Sequence, residues 1–193
     1  MAGNARYTAV LDACVLYPLA IADSLVSLAV NGLFAAKWTT KIEEEWIGAL
    51  EKNRPDLVGK LESRRDSMRD AVPDWEIPED AWTPLAGSLV LPDPNDVHVL
   101  AAAIAGHADC IVTKNHRDFP ADVMAPYEID VLDPDEFILN QWDLECLPVM
   151  AAFKGMRARR QKPTESVEDF AHAFEKNGLP ATAQKIREAA ALI

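Results

Sequence analysis

The sequence predicts an α/β protein with a mostly parallel sheet and a helical extension at its C-terminal end. Short β-prone apolar runs alternate along the chain with longer segments whose apolar residues recur at helical spacing. Polar side chains follow several of the short runs directly, and in parallel sheets functional residues collect beyond the carboxyl ends of the strands.

The strand candidates are short apolar runs bounded by polar or turn residues. Asp12 follows the first run at once, which indicates a buried strand with a carboxylate at its C-terminal end. The candidates are Tyr7–Leu11, Phe34–Trp38, Gly87–Leu91, Cys110–Thr113 and Ile129–Leu132.

The helix candidates carry apolar residues three or four positions apart. The spacing of Ile42, Trp46 and Leu50 predicts a helix over 40–52, with Thr39 or Thr40 as its cap. Three prolines predict a loop over 73–84. The other predicted helices cover Leu19–Val30, the stretch from Pro55 past Met68, Val97–Ala105 with Gly106 as C-cap, the stretch from Pro134 through Leu139, one capped by Thr164 or Ser166 and ending near Gly178, and one from Pro180 to Ile193.

Composition narrows the function classes. The chain has 193 residues, 49% of them apolar and 26% charged, with a net charge of −12. It contains no apolar run of about 18 residues and no signal-peptide pattern, so we expect a cytoplasmic protein with no membrane partner. The acidic balance argues against nonspecific coating of nucleic acid, but a nuclease whose metal site is acidic stays possible.

The charge also divides the chain. Residues 1–152 carry a net charge of −15 and residues 153–193 one of +3. We therefore expect a main domain over 5–140 and a helical extension over 141–193. The densest basic stretch, from Phe153 to Pro163, either contacts RNA phosphates or an acidic partner, or is a solvated helix end.

The three cysteines, Cys14, Cys110 and Cys146, are odd in number and widely spaced. This spacing suggests neither a disulfide framework nor a zinc site, and it predicts three small buried apolar residues. The four histidines show no metal-ligand spacing, and only His116 is expected near the candidate site.

Acidic and amide side chains follow the predicted strands and precede one helix. They are Asp12, Asn115 with Asp118, and the pair Asp93 and Asp96. Glu45 borders the apolar face of the 40–52 helix, whereas Glu43 and Glu44 are rotated away by about 100–200°. Clustered carboxylates repel one another unless a cation neutralises them, and all-oxygen ligation suits Mg²⁺ or Mn²⁺.

Four segments together resemble the acidic motifs of the PIN domain, in the family's order, over residues 7 to about 135. They are VLDACVLYP from Val10, Glu44–Trp46, LPDPNDVHVLAAA from Leu91, and IVTKNHRDFP from Ile111. The resemblance implies a three-layer α/β/α fold and a ribonuclease that cuts single-stranded RNA with Mg²⁺ or Mn²⁺. Many bacterial members are VapC-type toxins with a cognate antitoxin, so we expect RNA and antitoxin partners and a homodimer.

The resemblance also implies site roles. Asp12, Glu45, Asp96 and Asp118 match the acidic positions and are the expected catalytic residues and metal ligands, with Glu45 a ligand or a base for the attacking water. Thr113, Asn115 and Asp93 are expected to support them. Lys114 and Arg117, on the loop from Thr113 to Asp118, either touch substrate phosphate or belong to a solvated loop. Asn115 stands where other members have Asp, which leaves open whether it or Asp118 approaches the metal. Cys14 replaces an asparagine found in many members.

Structural alternatives accompany these assignments. Asp96 is also a plausible helix cap, and Asp93 and Asp118 are plausible turn residues. A haloacid-dehalogenase-like phosphatase would need a second Asp at position 14, where Cys14 stands. The alternative function is a catalytically weak or inactive PIN-like protein that binds a partner or RNA.

Overall fold

Strand β1 lies inside a four-stranded parallel sheet of order β2-β1-β3-β4. The computed structural model describes residues 6–160 and 165–193. Val10 pairs with Lys37 on one side and with Ile111 on the other, so β1 is hydrogen-bonded along both edges. The strands are β1 (Thr8–Leu11), β2 (Ala35–Lys37), β3 (Cys110–Val112) and β4 (Asp130–Leu132).

Helices cover both faces of the sheet. Successive strand residues point to opposite faces, and all three residues of β3 are fully buried, as are Ala9, Val10 and Leu11 of β1. The predicted α/β/α architecture is therefore confirmed. The helices are α1 (Ala13–Leu16), α2 (Leu19–Val30), α3 (Thr40–Asn53), α4 (Glu62–Ala71), α5 (Glu79–Ala86), α6 (Val97–Ala105), α7 (Ala121–Met124), α8 (Pro134–Leu144), α9 (Cys146–Arg159), α10 (Val167–Lys176) and α11 (Pro180–Glu188).

The start of α3 follows from local capping. The Thr39 hydroxyl accepts a hydrogen bond from the Ile42 amide at 3.1 Å, as the sequence predicted. Ile42 and Trp46 are fully buried on the inner face of the helix. This packing fixes which side of α3 faces the carboxyl ends of the strands.

Two predictions between residues 73 and 91 were wrong. The predicted strand Gly87–Leu91 is turn and irregular chain, in which Leu91 is buried but Val90 is 81% exposed. The loop predicted over 73–84 contains the start of α5, which has Pro84 inside it. This helix forms because Glu79 and Asp80 suit its first turn and Trp82 is buried against the ring of His98.

The cysteine prediction holds in part. Cys110 is buried in β3. Cys146 is exposed, so its assignment as a buried residue was wrong, and Cys14 is half-buried. The difference at Cys146 arises because it starts α9 on the surface.

The C-terminal helices pack through aromatic rings and one buried carboxylate. Phe153, Phe170 and Phe174 meet edge to face, with centroid distances of 5.1–6.4 Å. Asp135 of α8 accepts hydrogen bonds from the amides of Ala181 and Thr182 and from the Thr182 hydroxyl, at 2.6–2.9 Å. This carboxylate therefore accepts hydrogen bonds from amides in the first turn of α11, which lack partners within the helix, and it links α11 to α8. Helix α8 continues across residue 140, and the division into 5–140 and 141–193 stays a prediction.

The basic stretch after Phe153 is used largely within the protein. Arg159 contacts Asp23 of α2 at 2.7 Å, and Arg160 contacts Glu165 at 3.2 Å and lies over the Phe170 ring. Ser166 caps α10, as predicted. The alternative cap Thr164, together with Lys162 and Pro163, lies outside the described residues. In the part of the chain that the structure describes, no helix combines the length and apolar character needed to cross a membrane.

Candidate active site

Asp12 lies directly beyond the C-terminal end of β1 and is 3% exposed. Its backbone amide donates to the Val112 carbonyl at 3.2 Å, which continues the pairing of β1 with β3. Its Oδ2 accepts hydrogen bonds from the Thr113 hydroxyl at 2.6 Å and from the Cys14 thiol at 3.0 Å. Burial, and then the Asp12 charge, raise the pKa of Cys14 to about 12, so this thiol keeps its proton.

Asp96 enters the same site from the start of α6. A short 3-10 turn, Pro94–Asp96, leads into this helix. Burial and then the charges of Asp12, Asp118 and Asp93, in that order, together raise the pKa of Asp96 to about 7. The carboxylates are therefore close enough to oppose one another's ionisation.

The sequence left Asp93 as either a supporting residue of the site or a turn residue, and its contacts are those of a turn residue. Its Oδ1 accepts from both the backbone amide and the side-chain amide of Asn95, at 2.9 Å each. This Oδ1 atom shapes the turn before Asp96, while the charge of Asp93 still acts on Asp96. Asp96 itself makes no side-chain cap hydrogen bond to α6 among the described residues.

Glu45, rather than its two acidic neighbours, faces the cavity. This opening, of about 410 Å³, is lined by Asp12, Glu45, Asp96, Asn115 and Cys14 together with Ala13, Tyr17, Trp46 and Ala49. Glu43 is 2% exposed on another side of α3, paired with Arg69 and accepting from the Trp38 indole at 2.9 Å. Glu43 is a structural carboxylate, as its predicted orientation away from the site allows.

His98 also reaches the site, which the sequence analysis did not predict. Its Nδ1 lies 2.6 Å from the Asn95 carbonyl, and its Nε2 lies 3.2 Å from Glu45 Oε2 without hydrogen-bond geometry. The ring is 3% exposed. The sequence did hold a signal for His98. It stands two residues after Asp96, in the first turn of α6, and so lies near the end of the helix that reaches the site.

The loop after β3 supplies the remaining candidates. Asn115 lines the cavity, and the charge of Asp118 acts on Asp96 although Asp118 does not line the opening. Both residues therefore lie at the site. Arg117 is exposed on this loop, whereas Lys114 donates its ammonium to the Asn177 carbonyl at 2.5 Å, between α10 and α11. His116 is exposed on the same loop, and the expectation that it alone among the histidines lies near the site was wrong, because His98 lies against Glu45.

The donor set suits a hard divalent cation. Over residues 6–160 and 165–193, no three His, Cys, Asp or Glu side chains already stand in a metal-coordinating arrangement. Asp12, Glu45, Asp96 and Asn115 nevertheless line one cavity, and after burial the charges of Asp12, Asp118 and Asp93 raise the pKa of Asp96. Oxygen ligands and uncompensated carboxylates are what Mg²⁺ and Mn²⁺ bind.

Two models of known families match this chain. The model of the PIN domain matches residues 8–117, which carry β1 to β3 and each of the acidic candidates except Asp118. The chain belongs to the PIN-domain family. The model of the VapC50 C-terminal domain matches residues 134–188, the segment of α8 to α11.

One relative is similar over part of the chain. It is the protein called Putative ribonuclease VapC50 from Mycobacterium tuberculosis (strain ATCC 25618 / H37Rv), with 48% identity over 61 residues. The matched stretch is 32% of this chain and 36% of the relative, so it spans about a third of each protein. No solved structure matches the chain.

Proposed function

We propose that this protein is a divalent-metal-dependent endoribonuclease that cuts single-stranded RNA, and that it is the toxin of a VapBC-like toxin–antitoxin pair. The observation that carries the proposal is the meeting of Asp12, Glu45 and Asp96 at one cavity beyond the carboxyl ends of β1 and β3, with Asp118 beside Asp96. Membership of the PIN family and the partial similarity to a protein named as a ribonuclease support it.

In this proposal Asp12 and Asp96 hold the cation, and Asp118 supports Asp96. Glu45 either completes the ligand set or accepts a proton from the attacking water. When bound, Mg²⁺ or Mn²⁺ would activate that water and stabilise charge on the phosphate undergoing displacement. Thr113 holds Asp12 by a 2.6 Å hydrogen bond, and Asn115 offers an amide to water or phosphate at the cavity wall.

Substrate phosphate would meet the site beside the loop after β3. Arg117 is an exposed cation on that loop, and we assign it the contact with RNA. Lys114 is assigned a lesser part, since its ammonium is engaged with the Asn177 carbonyl. A cognate antitoxin and a homodimer complete the proposal.

The test is cleavage of an RNA pool, structured and single-stranded, by purified protein with Mg²⁺, Mn²⁺ or EDTA. Asp12→Asn and Asp96→Asn are compared with Asp74→Asn, which changes an exposed loop carboxylate away from the cavity. We expect metal-dependent cleavage that both site variants lose and the control keeps. Failure of every folded protein to bind metal or cleave RNA would instead favour the partner-binding alternative.

A further inference from the structure

Two side-chain donors converge on one oxygen of Asp12. The Thr113 hydroxyl and the Cys14 thiol both donate to Oδ2, at 2.6 and 3.0 Å. A carboxylate oxygen has two lone pairs, so these donors satisfy Oδ2. Within the described chain, no side-chain or backbone donor contacts Oδ1 of this buried carboxylate. Oδ1 is therefore the oxygen left for a ligand.

The two donors are themselves oriented by backbone amides. The Lys114 amide donates to Cys14 Sγ at 3.2 Å, and the Asn115 amide donates to Thr113 Oγ1 at 2.9 Å. A thiol or a hydroxyl has a single proton, and each amide occupies the acceptor side of its partner. Asp12 Oδ2 is the acceptor that lies within hydrogen-bond distance of both protons.

Cys14 is placed for this contact by α1. The helix begins directly after Asp12, so Cys14 stands two residues on, at the wall of the cavity that also holds Glu45 and Asp96. Its sulfur lies 3.3 Å from Thr113 Oγ1. Cys14, which follows β1, and Thr113, which follows β3, therefore meet beside Oδ2 of Asp12. A donor facing a charged acceptor forms one of the stronger classes of hydrogen bond.

We infer that Cys14 is a positioning residue for Asp12. With Thr113 it fixes Oδ2 inside the protein and turns Oδ1 towards the cavity, so Asp12 offers a cation one oxygen in a set orientation. The thiol acts as a proton donor here and does not itself bind the cation. This inference rests on the proposed function, because it concerns the same cation site.

If Cys14 acts in this way, the affinity for Mn²⁺ depends on a hydrogen-bond donor at position 14 and not on the sulfur atom itself. Cys14→Ser keeps a single proton donor of similar reach. Cys14→Ala and Cys14→Val remove the donor, and valine fills the space that alanine leaves empty. Cys146→Ala removes an exposed thiol far along the chain and serves as the matched control.

The experiment is calorimetric titration of MnCl₂ into each metal-stripped 193-residue protein, with circular dichroism to establish folding. Loss of a group that orients a metal ligand typically weakens affinity about 10–100-fold. We expect Mn²⁺ binding about tenfold weaker in the Ala and Val variants, within about threefold of wild type in the Ser variant, and unchanged in Cys146→Ala.

Wild-type affinity in the folded Ala and Val variants would overturn the inference while leaving the cation site standing. Equal losses in the Ser and Ala variants would also overturn it, since a donor would then not be what matters. No Mn²⁺ binding by the wild-type protein would overturn the cation site of the proposed function, and the inference with it.

Discussion

Replacing Asp96 with asparagine should stabilise the metal-free protein at neutral and alkaline pH. In the folded protein the pKa of Asp96 is about 7, because burial and the charges of Asp12, Asp118 and Asp93 oppose its ionisation. The unfolded chain releases this proton near pH 4. The ionisation of Asp96 therefore leaves the free energy of unfolding unaffected below about pH 4. It lowers that free energy progressively as the pH rises, and the loss is complete above about pH 7.

The magnitude follows from the difference between the two pKa values. A rise from 3.8 to about 7 corresponds to about 4 kcal/mol if taken in full, at 1.36 kcal/mol per pH unit. Asp96 is only half-buried, and solvent screens its charge, so we expect about 1–2 kcal/mol. Asparagine is uncharged and also suits a helix start, so Asp96→Asn should recover most of this.

Thermal denaturation in EDTA at pH 5, 6, 7 and 8 measures the effect. For a chain of this size about 1–2 kcal/mol corresponds to a rise in Tm of roughly 2–8 °C. The advantage of Asp96→Asn over wild type should grow from pH 5 to pH 7 and then level off, while Asp74→Asn shows no such trend. Excess Mn²⁺ should raise the Tm of wild type and not that of Asp96→Asn. A variant less stable than wild type at pH 8, or an advantage independent of pH, would refute the reasoning.

Two further predictions concern groups outside the cavity. Glu43→Ala should cost about 3 kcal/mol in urea denaturation, because it leaves the Trp38 indole and Arg69 without their buried acceptor, and Glu44→Ala should cost little by comparison. An equal cost in both variants would contradict this assignment. Asp135→Ala should speed hydrogen exchange of the amides of α11, because its carboxylate accepts from Ala181 and Thr182. Unchanged protection there would show that α11 is held without this contact.

The sequence was sufficient wherever the signal was local. Strands β1 and β3 are short apolar runs that can be recognised in the sequence. Thr39 caps α3 by accepting a hydrogen bond from Ile42, three positions further along the chain. The position of Asp12 followed from its place immediately after a buried strand. The order of the acidic motifs pointed to the same edge of the sheet as the geometry does.

The sequence was insufficient where burial depends on distant partners. The run Gly87–Leu91 is apolar, but in the described part of the chain it lies outside the four-stranded sheet and Val90 is 81% exposed. Glu43 is buried because Arg69 arrives from α4, a pairing over twenty-six positions that no local pattern reveals. The link from Lys114 to Asn177 likewise depends on how α10 and α11 pack.

His98 shows a third kind of limit. A lone histidine in an apolar helix is usually a packing residue, and its ring does contact Trp82. Its other contact, 3.2 Å from Glu45, exists only because α3 and α6 meet at the cavity. Such a meeting is a property of the fold and not of either helix.

Crystals of the 193-residue protein grown with MnCl₂ test the central claim most directly, by anomalous scattering at the manganese edge. The account predicts an anomalous peak within coordination distance of Asp12 and Asp96 in wild type, and its loss in Asp96→Asn. A protein that cleaves RNA in Mn²⁺ while its anomalous peak lies elsewhere, or persists unchanged in Asp96→Asn, would contradict the account.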